Sequence, residues 1–397
     1  MAASISGSRT CYPGAALARG SRRCATISSS YAPCSPASSK KTSSLRIGRK
    51  WAELQGARDW DGLLSPLDGA LRGELVRYGE FVRAAYASFD LDGGAHSYGS
   101  CRFPTASLLR RAGLPETGYR VTRILHAASG PAWLTSSPSS CRSSYIGYVA
   151  VCDDAAEIER LGRRDVVVAF RGTATRGEWV DNLQSTLTRL PPLAGGEEEE
   201  EEEEEEEAAM VESGFWRLFT APGEAHGSLQ EQVRGEVERI VREYGGEAPL
   251  SVTVTGHSLG AALAVLTAYD ITSKQQQHQS GGSNGAAAAP MVTAVSFGGP
   301  RVGNAAFRRR LEAGGGKVLR VVNSNDIVTK VPGFPVDDDE SESAKRRVPR
   351  WLASKMGWAY SDVGRELRLC SKDSASSNVV ASHDLGLYLK LVAACTD

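Results

Sequence analysis

A chain of 397 residues, 41% of them apolar, can bury a sizeable core as one large domain or two average ones. Its formal net charge of −1 hides nine Lys and Arg without an acid in the first 50 residues and eleven consecutive Glu at 197–207; with the +9 and −11 set aside, the remainder is near +1. A body that close to neutral gives no support for a nucleic-acid partner, and no run of eighteen apolar residues exists to predict a transmembrane segment.

The first 50 residues are Ser-rich, basic and free of Asp and Glu, with no continuous apolar stretch of the kind a secretory signal needs. This composition predicts a disordered transit peptide over 1–50. The Met-Ala-Ala start and heavy Ser content favour the chloroplast, with the mitochondrion as the alternative. Structure is expected from about Trp51. In "SPLDGALRGELVRYGEFVRAAYASFD" the apolar residues Leu67, Leu71, Leu75, Tyr78, Phe81, Val82, Ala85 and Phe89 recur at three- and four-residue steps. That predicts an amphipathic helix, with Ser65 as N-cap and Pro66 at its first position. An irregular Gly-, Ser- and Pro-containing stretch follows. Strands are predicted at Ser144–Asp153 and Asp165–Thr173, a helix in "GSLQEQVRGEVERIVREYGG", a strand in "LSVTVTG", a helix in "GAALAVLTAYDITSK", and strands in "MVTAVSFGG" and "GKVLRVVN". Strands alternating with helices predict an α/β fold with a largely parallel sheet. The Glu tract (near 195–209), the polar connector Ser273–Pro290 and the charged stretch Pro335–Arg350 read as solvated insertions, because strand–helix alternation resumes after each.

Of the eight Cys, three lie in the leader and five are scattered without C-x-x-C spacing. They predict free thiols in a reducing compartment and no metal site.

Two stretches fit G-x-S-x-G: Gly256-His257-Ser258-Leu259-Gly260 and Gly281-Gly282-Ser283-Asn284-Gly285. A nucleophilic serine of this pattern sits on a strained strand-to-helix turn, where flanking glycines let strand and helix approach. Ser258 lies between a β-branched strand and an Ala- and Leu-rich helix. Ser283 has Gln, Ser, Ala and Pro around it and reads as a loop. The helix after Ser258 points N–H groups at the turn, and that of Leu259 would face a developing oxyanion. A serine needs a base to attack at neutral pH. Of six His, His257 adjoins Ser258 and His96, His126 and His226 precede it, while His278 lies in the connector. The hydrolase chain order Ser, acid, His selects His383, just before an apolar helix. The acid must fall between them at a strand end, which favours Asp326 over Asp270, Asp362, the "DDDE" loop and Asp384. A second oxyanion donor is expected where the strand ends at Phe170 and Arg171-Gly172-Thr173 turns away, with the N–H of Thr173.

Taken together, "FRGT", "VESGF", "VTGHSLGAALA", "SFGGPRVGN", "VVNSNDIVTKVPG" and "SHDLGLYLKLV" resemble the class 3 lipase family of α/β hydrolases. The segments "YGSCRF", "GYRVTRILHA" and "YIGYVAV", with the stretch from Trp51 to Asp90, are similar to the plant chloroplast-targeted class I phospholipases A1. The resemblance covers roughly 51–395. It implies one α/β-hydrolase domain over 51–397, with a mostly parallel central sheet flanked by helices and a short lid at Ala174–Asn182. It implies Ser258 as nucleophile, Asp326 as acid, His383 as base, and Thr173 with Leu259 as the oxyanion hole, without cofactor or metal. It also implies a glycerolipid substrate at a membrane surface, cut at sn-1 of a phospholipid or galactolipid, with the acid feeding oxylipin or jasmonate synthesis. A tri- or monoacylglycerol lipase is the alternative. A catalytically silent lipase-like signalling protein, which would carry a further helical domain, is disfavoured because the chain ends fourteen residues after His383.

Overall fold

The run "RDVVVAF" carries β-branched side chains at successive positions, so it must be covered on both faces, as a central strand of a layered α/β protein is. In the computed structural model of the protein, residues 47–92, 97–128, 143–173, 186–191, 208–223, 225–280, 289–332, 334–335, 359–370 and 379–395 are described. They belong to one compact unit, Leu45–Asp397. Residues 1–46 of the leader, the Glu run 197–207, Ser283 and the lid segment Ala174–Asn182 lie outside the described residues.

The main sheet has seven strands in the order β1 (Tyr119–Ala128), β2 (Ser143–Cys152), β3 (Arg164–Phe170), β6 (Leu250–His257), β7 (Met291–Phe297), β8 (Lys317–Asn323) and β11 (Arg365–Leu369). From β3 to β11 every pairing is parallel, while β1–β2 and β2–β3 are antiparallel. Small ribbons pair β4 (Leu187–Arg189) with β5 (Met210–Glu212) and β9 (Phe334–Pro335) with β10 (Ala359–Tyr360).

The period of two decides which layer each residue joins. Val166, Val168 and Phe170 share one core with Leu229, Val233, Val237 and Ile240 of α6 (Leu229–Tyr244) and with the apolar positions of α7 (Leu259–Ser280). Val167 and Ala169 face the other core, with Leu71, Leu75, Phe81 and Val82 of α2 (Gly69–Ala87) and Leu385 and Val392 of the C-terminal helix. Each such fully buried aliphatic or aromatic side chain contributes about 1.5–3 kcal/mol. The remaining helices are α1 (Trp51–Leu54), α3 (Leu108–Arg111), α4 (Ala155–Leu161), α5 (Ser213–Thr220), α8 (Ala305–Ala313), α9 (Val379–Ser382) and α10 (Leu385–Ala394).

Several boundaries differ from those expected. The folded body begins before Trp51: Ile47 is buried and its N–H donates to Arg160 O. Helix α2 starts at Gly69 and not at Pro66. Its cap is Asp68, whose carboxylate accepts from the N–H groups of Ala70 and Leu71, two orphan donors satisfied by one side chain. Strand β1 falls in the stretch read as irregular. The connector from Ser273 is helical as far as Ser280, because α7 runs on through the Gln-rich segment, and glutamine is a good helix former.

Candidate active site

Ser258 is the turn between β6 and α7, with a left-handed φ of 60° in a residue that has a Cβ. Its N–H donates to Phe297 O at 3.0 Å and its carbonyl accepts from Ala261 N at 2.9 Å. The two flanking glycines are forced by proximity. A Cβ on Gly256 would lie 2.1 Å from Gly260 O, and one on Gly260 would lie 2.5 Å from Arg171 O. Strand, helix and the end of β3 thus meet at distances only glycine permits.

The turn after β3 lies directly against the elbow. A Cβ on Gly172 would fall 2.7 Å from His257 O and 3.0 Å from Ser258 Cβ. Thr173, the next residue, is buried, as is Leu259 at the first position of α7, where a helix N–H has no intrahelical acceptor. The turn is held by Arg171, whose guanidinium donates to Tyr145 O (2.9 Å), Gly172 O (2.7 Å) and Ser144 Oγ (3.2 Å) and stacks 3.8 Å over the Phe89 ring. Among the described residues no carboxylate pairs with it. Burial pushes its pKa down to about 10, partly offset by neighbouring tyrosines. It therefore remains a cation at neutral pH.

Asp326 follows β8 and is fully buried. Its Oδ1 accepts from Val328 N at 2.9 Å. Its Oδ2 accepts from the Tyr388 hydroxyl at 2.6 Å and faces His383 Nδ1 at 2.7 Å. A carboxylate only accepts, so Nδ1 carries the hydrogen and the neutral His383 ring keeps its lone pair on Nε2. Burial, and then Asp326, hold the Tyr388 phenol well above its usual pKa, so it stays a donor. Tyr388 also accepts from Asn323 N at 3.1 Å, and Asn323 Nδ2 donates to Ser382 O at 2.9 Å. The segment before His383 is thereby tied to the end of β8.

His383 is brought to the elbow through His257, whose Nε2 lies 2.9 Å from His383 O and whose ring centroid is 4.7 Å from that of His383. His257 Nδ1 in turn lies 2.9 Å from the Tyr86 hydroxyl, at the end of α2. Neither Tyr86, Tyr388 nor His257 is singled out by sequence pattern. Tyr388 sits in an apolar helix stripe, Tyr86 is a half-buried residue just off the stripe of α2, and adjacency to Ser258 removes His257 from the search for a base.

The competing carboxylates are engaged elsewhere. Asp270 pairs with Arg234, Asp362 pairs with Arg301 and Arg320, and Asp384 caps α10 by accepting from Leu387 N. His126 and His226 stack on each other with centroids 4.2 Å apart. Among the described residues no group of three or more His, Cys, Asp or Glu side chains could hold a metal ion, and no helix is long and apolar enough to cross a membrane.

The sequence model of Lipase (class 3) matches residues 167–336, from β3 to β9. Over 362 residues the chain is 49% identical to Phospholipase A(1) DAD1, chloroplastic, of Arabidopsis thaliana, covering 88% of this chain and 77% of that protein. It is 42% identical over 357 residues to Phospholipase A1 EG1, chloroplastic/mitochondrial, of Oryza sativa subsp. indica, covering 87% and 75%. It is 38% identical over 358 residues to Galactolipase DONGLE, chloroplastic, of Arabidopsis thaliana, covering 88% and 70%. With an α/β sheet, a strained serine between strand and helix, and relatives matched along most of their length, the chain belongs to the class 3 lipase family.

Proposed function

We propose that this protein is a plastid serine acyl hydrolase that cuts the sn-1 ester of a phospholipid or galactolipid at a membrane surface. The observation that carries the reading is the paired grip on His383. Asp326 fixes its Nδ1–H, and His257, the residue before Ser258, holds its carbonyl, leaving Nε2 as a base. In the first step His383 Nε2 takes the Ser258 proton as Oγ attacks the ester carbonyl, and Asp326 stabilises the imidazolium. The N–H groups of Thr173 and Leu259 hold the oxyanion. The imidazolium then protonates the leaving glycerol oxygen, giving an acyl-enzyme and a lysolipid. Water, deprotonated by His383, attacks the acyl-enzyme and releases the fatty acid, which on this reading feeds oxylipin or jasmonate synthesis.

Substrate class and address draw support from the relatives' names, which include phospholipase A1, galactolipase and chloroplastic labels. The leader's composition supports the same compartment. Recombinant protein assayed on phosphatidylcholine, monogalactosyl and digalactosyl lipids and triacylglycerol, each with a labelled sn-1 chain, tests the reading. Ser258→Ala should lose roughly 10⁴- to 10⁶-fold in kcat and all labelling by a fluorophosphonate. Retention of most hydrolysis by that variant refutes the nucleophile. Preference for triacylglycerol refutes the polar-lipid assignment and favours a neutral-lipid lipase.

A further inference from the structure

His383 is the first residue of the two-residue break between α9 and α10. Asp326 grips its ring at Nδ1. A shift of the backbone at this break would turn the ring about that contact and move Nε2, the atom that must meet Ser258. The carbonyl of the same residue supplies a second point of attachment. It lies 2.9 Å from His257 Nε2, and because a carbonyl only accepts, that nitrogen carries the hydrogen. A neutral His257 then has only a lone pair on Nδ1, and the Tyr86 hydroxyl 2.9 Å away donates to it. The two bonds form one directed chain, Tyr86 O–H to His257 Nδ1 and His257 Nε2–H to His383 O.

We propose that Tyr86 and His257 are positioning residues that hold the backbone of His383 in register with Ser258. The assignment rests on the acyl-hydrolase reading above. His257 is suited to the task because it precedes the nucleophile by one residue. Any movement of the elbow is transmitted to His383 through a rigid ring. The Tyr86 hydroxyl reaches a third part of the site, since a Cβ on Gly172 would fall 2.4 Å from its oxygen. One phenol therefore touches the turn that carries Thr173 and the ring that orients the base. It comes from α2, which lies outside the matched residues 167–336. Helix α2 also packs closely on α10, where a Cβ on Gly79 would fall 2.1 Å from Leu389 Cδ2. The N-terminal helix is in this way part of the machinery that aligns base and nucleophile.

The experiment uses the full chain carrying Tyr86→Phe, His257→Phe or His257→Gln, assayed on phosphatidylcholine vesicles beside the parent protein and Ser258→Ala. The proposal gives these residues a positioning role and no role in substrate binding, so KM should stay within about twofold while kcat falls, because misplacing a reacting atom by about 1 Å costs up to about 100-fold. His257→Phe should lose about 30- to 100-fold in kcat. His257→Gln, whose amide N–H can reach the same carbonyl, should recover to within about fivefold of the parent, and Tyr86→Phe should lose about 5- to 10-fold. Parent-like kcat in Tyr86→Phe, a loss in His257→Gln as deep as in His257→Phe, or a loss confined to KM overturns the assignment. If His257→Phe fails to fold, Tyr86→Phe and His257→Gln decide it alone. Hydrolysis that survives Ser258→Ala overturns the parent reading together with this one. Hydrolysis that depends on Ser258 but ignores Tyr86 and His257 overturns only the positioning role.

Discussion

Gly260→Ala tests how tightly the two N–H groups proposed as oxyanion donors are set. The added Cβ would lie 2.5 Å from Arg171 O and 2.7 Å from Phe170 O, whereas ordinary contact begins at 3.4 Å. The shortfall from Arg171 O is about 0.9 Å, and neither neighbour is a flexible side-chain tip; both are backbone oxygens at the end of β3. Relief requires the first turn of α7 to move away from the turn 171–173. Leu259 lies on one side of that gap and Thr173 on the other, so the two N–H groups separate by much of the same distance. A displacement near 1 Å at a reacting geometry costs about 100-fold in rate, and overpacking of this kind costs about 1–3 kcal/mol of stability. Steady-state kinetics on lipid vesicles should show kcat down about 30- to 100-fold with KM little changed. Thermal unfolding should show a loss of a few degrees. Gly235→Ala in α6 is the internal control: a Cβ there meets nothing within 4 Å, so it should be neutral or stabilise by up to about 1 kcal/mol. A Gly260→Ala enzyme with kcat within about threefold of the parent refutes the reasoning, because it would show that the turn and the helix are not rigidly coupled.

Tyr388→Phe removes the 2.6 Å donor to Asp326 and leaves Asn323 N–H without its 3.1 Å acceptor; it should cost about 2–4 kcal/mol in urea unfolding, and a loss below about 0.5 kcal/mol denies the hydroxyl a role in holding the acid. Burial pushes Glu212 from 4.5 up to about 7, outweighing the N–H groups of Phe215 and Gly214 that favour its charge. The folded state therefore binds this proton more tightly than the unfolded chain, and stability declines as pH rises from about 4.5 to about 7. Glu212→Gln keeps an acceptor for Phe215 N and cannot ionise, so its advantage should be small at pH 5 and reach about 2–3 kcal/mol above pH 7; an advantage that does not vary with pH contradicts the assignment.

The parts of the fold that were legible in the sequence are those where a local pattern does the work. Strands β3, β6, β7 and β8 carry β-branched runs because both faces are covered, and α6 shows its stripe because only one face is. Strand β1 escaped notice because it is an edge strand with two register shifts, and Arg120 and Arg123 interrupt its alternation. Strand β11, "RELRL", is hidden the same way on the opposite edge. For α2 the stripe was readable but its start was not, since Ser65-Pro66 imitates a cap that Asp68 supplies three residues later. Within the site, chain order leads to Ser258, Asp326 and His383, which carry distinctive chemistry in distinctive flanks. What holds them is not visible in that way. Tyr86 and His257 are 171 residues apart, and Tyr388 is 62 from Asp326. In sequence Tyr388 is one apolar residue among several on a buried helix face, and Tyr86 is a half-buried residue beside the stripe of α2.

Arg171 gives the site an electrical bias that exists before any substrate arrives. Its guanidinium donates to Gly172 O, and the nitrogen at the other end of that same peptide unit belongs to Thr173. A cation at the oxygen end draws electron density along the amide and leaves the Thr173 hydrogen more positive, as coupled hydrogen bonds in a low-dielectric interior do. With no carboxylate among the described residues to balance it, the charge adds little attraction for a neutral ester and much for the oxygen once it becomes an anion. On the proposed acyl-hydrolase reading the resting site is in this sense one negative charge short, and the tetrahedral intermediate is the species that would supply it. Selectivity for the transition state over the bound lipid would then be built in one residue beyond the end of β3.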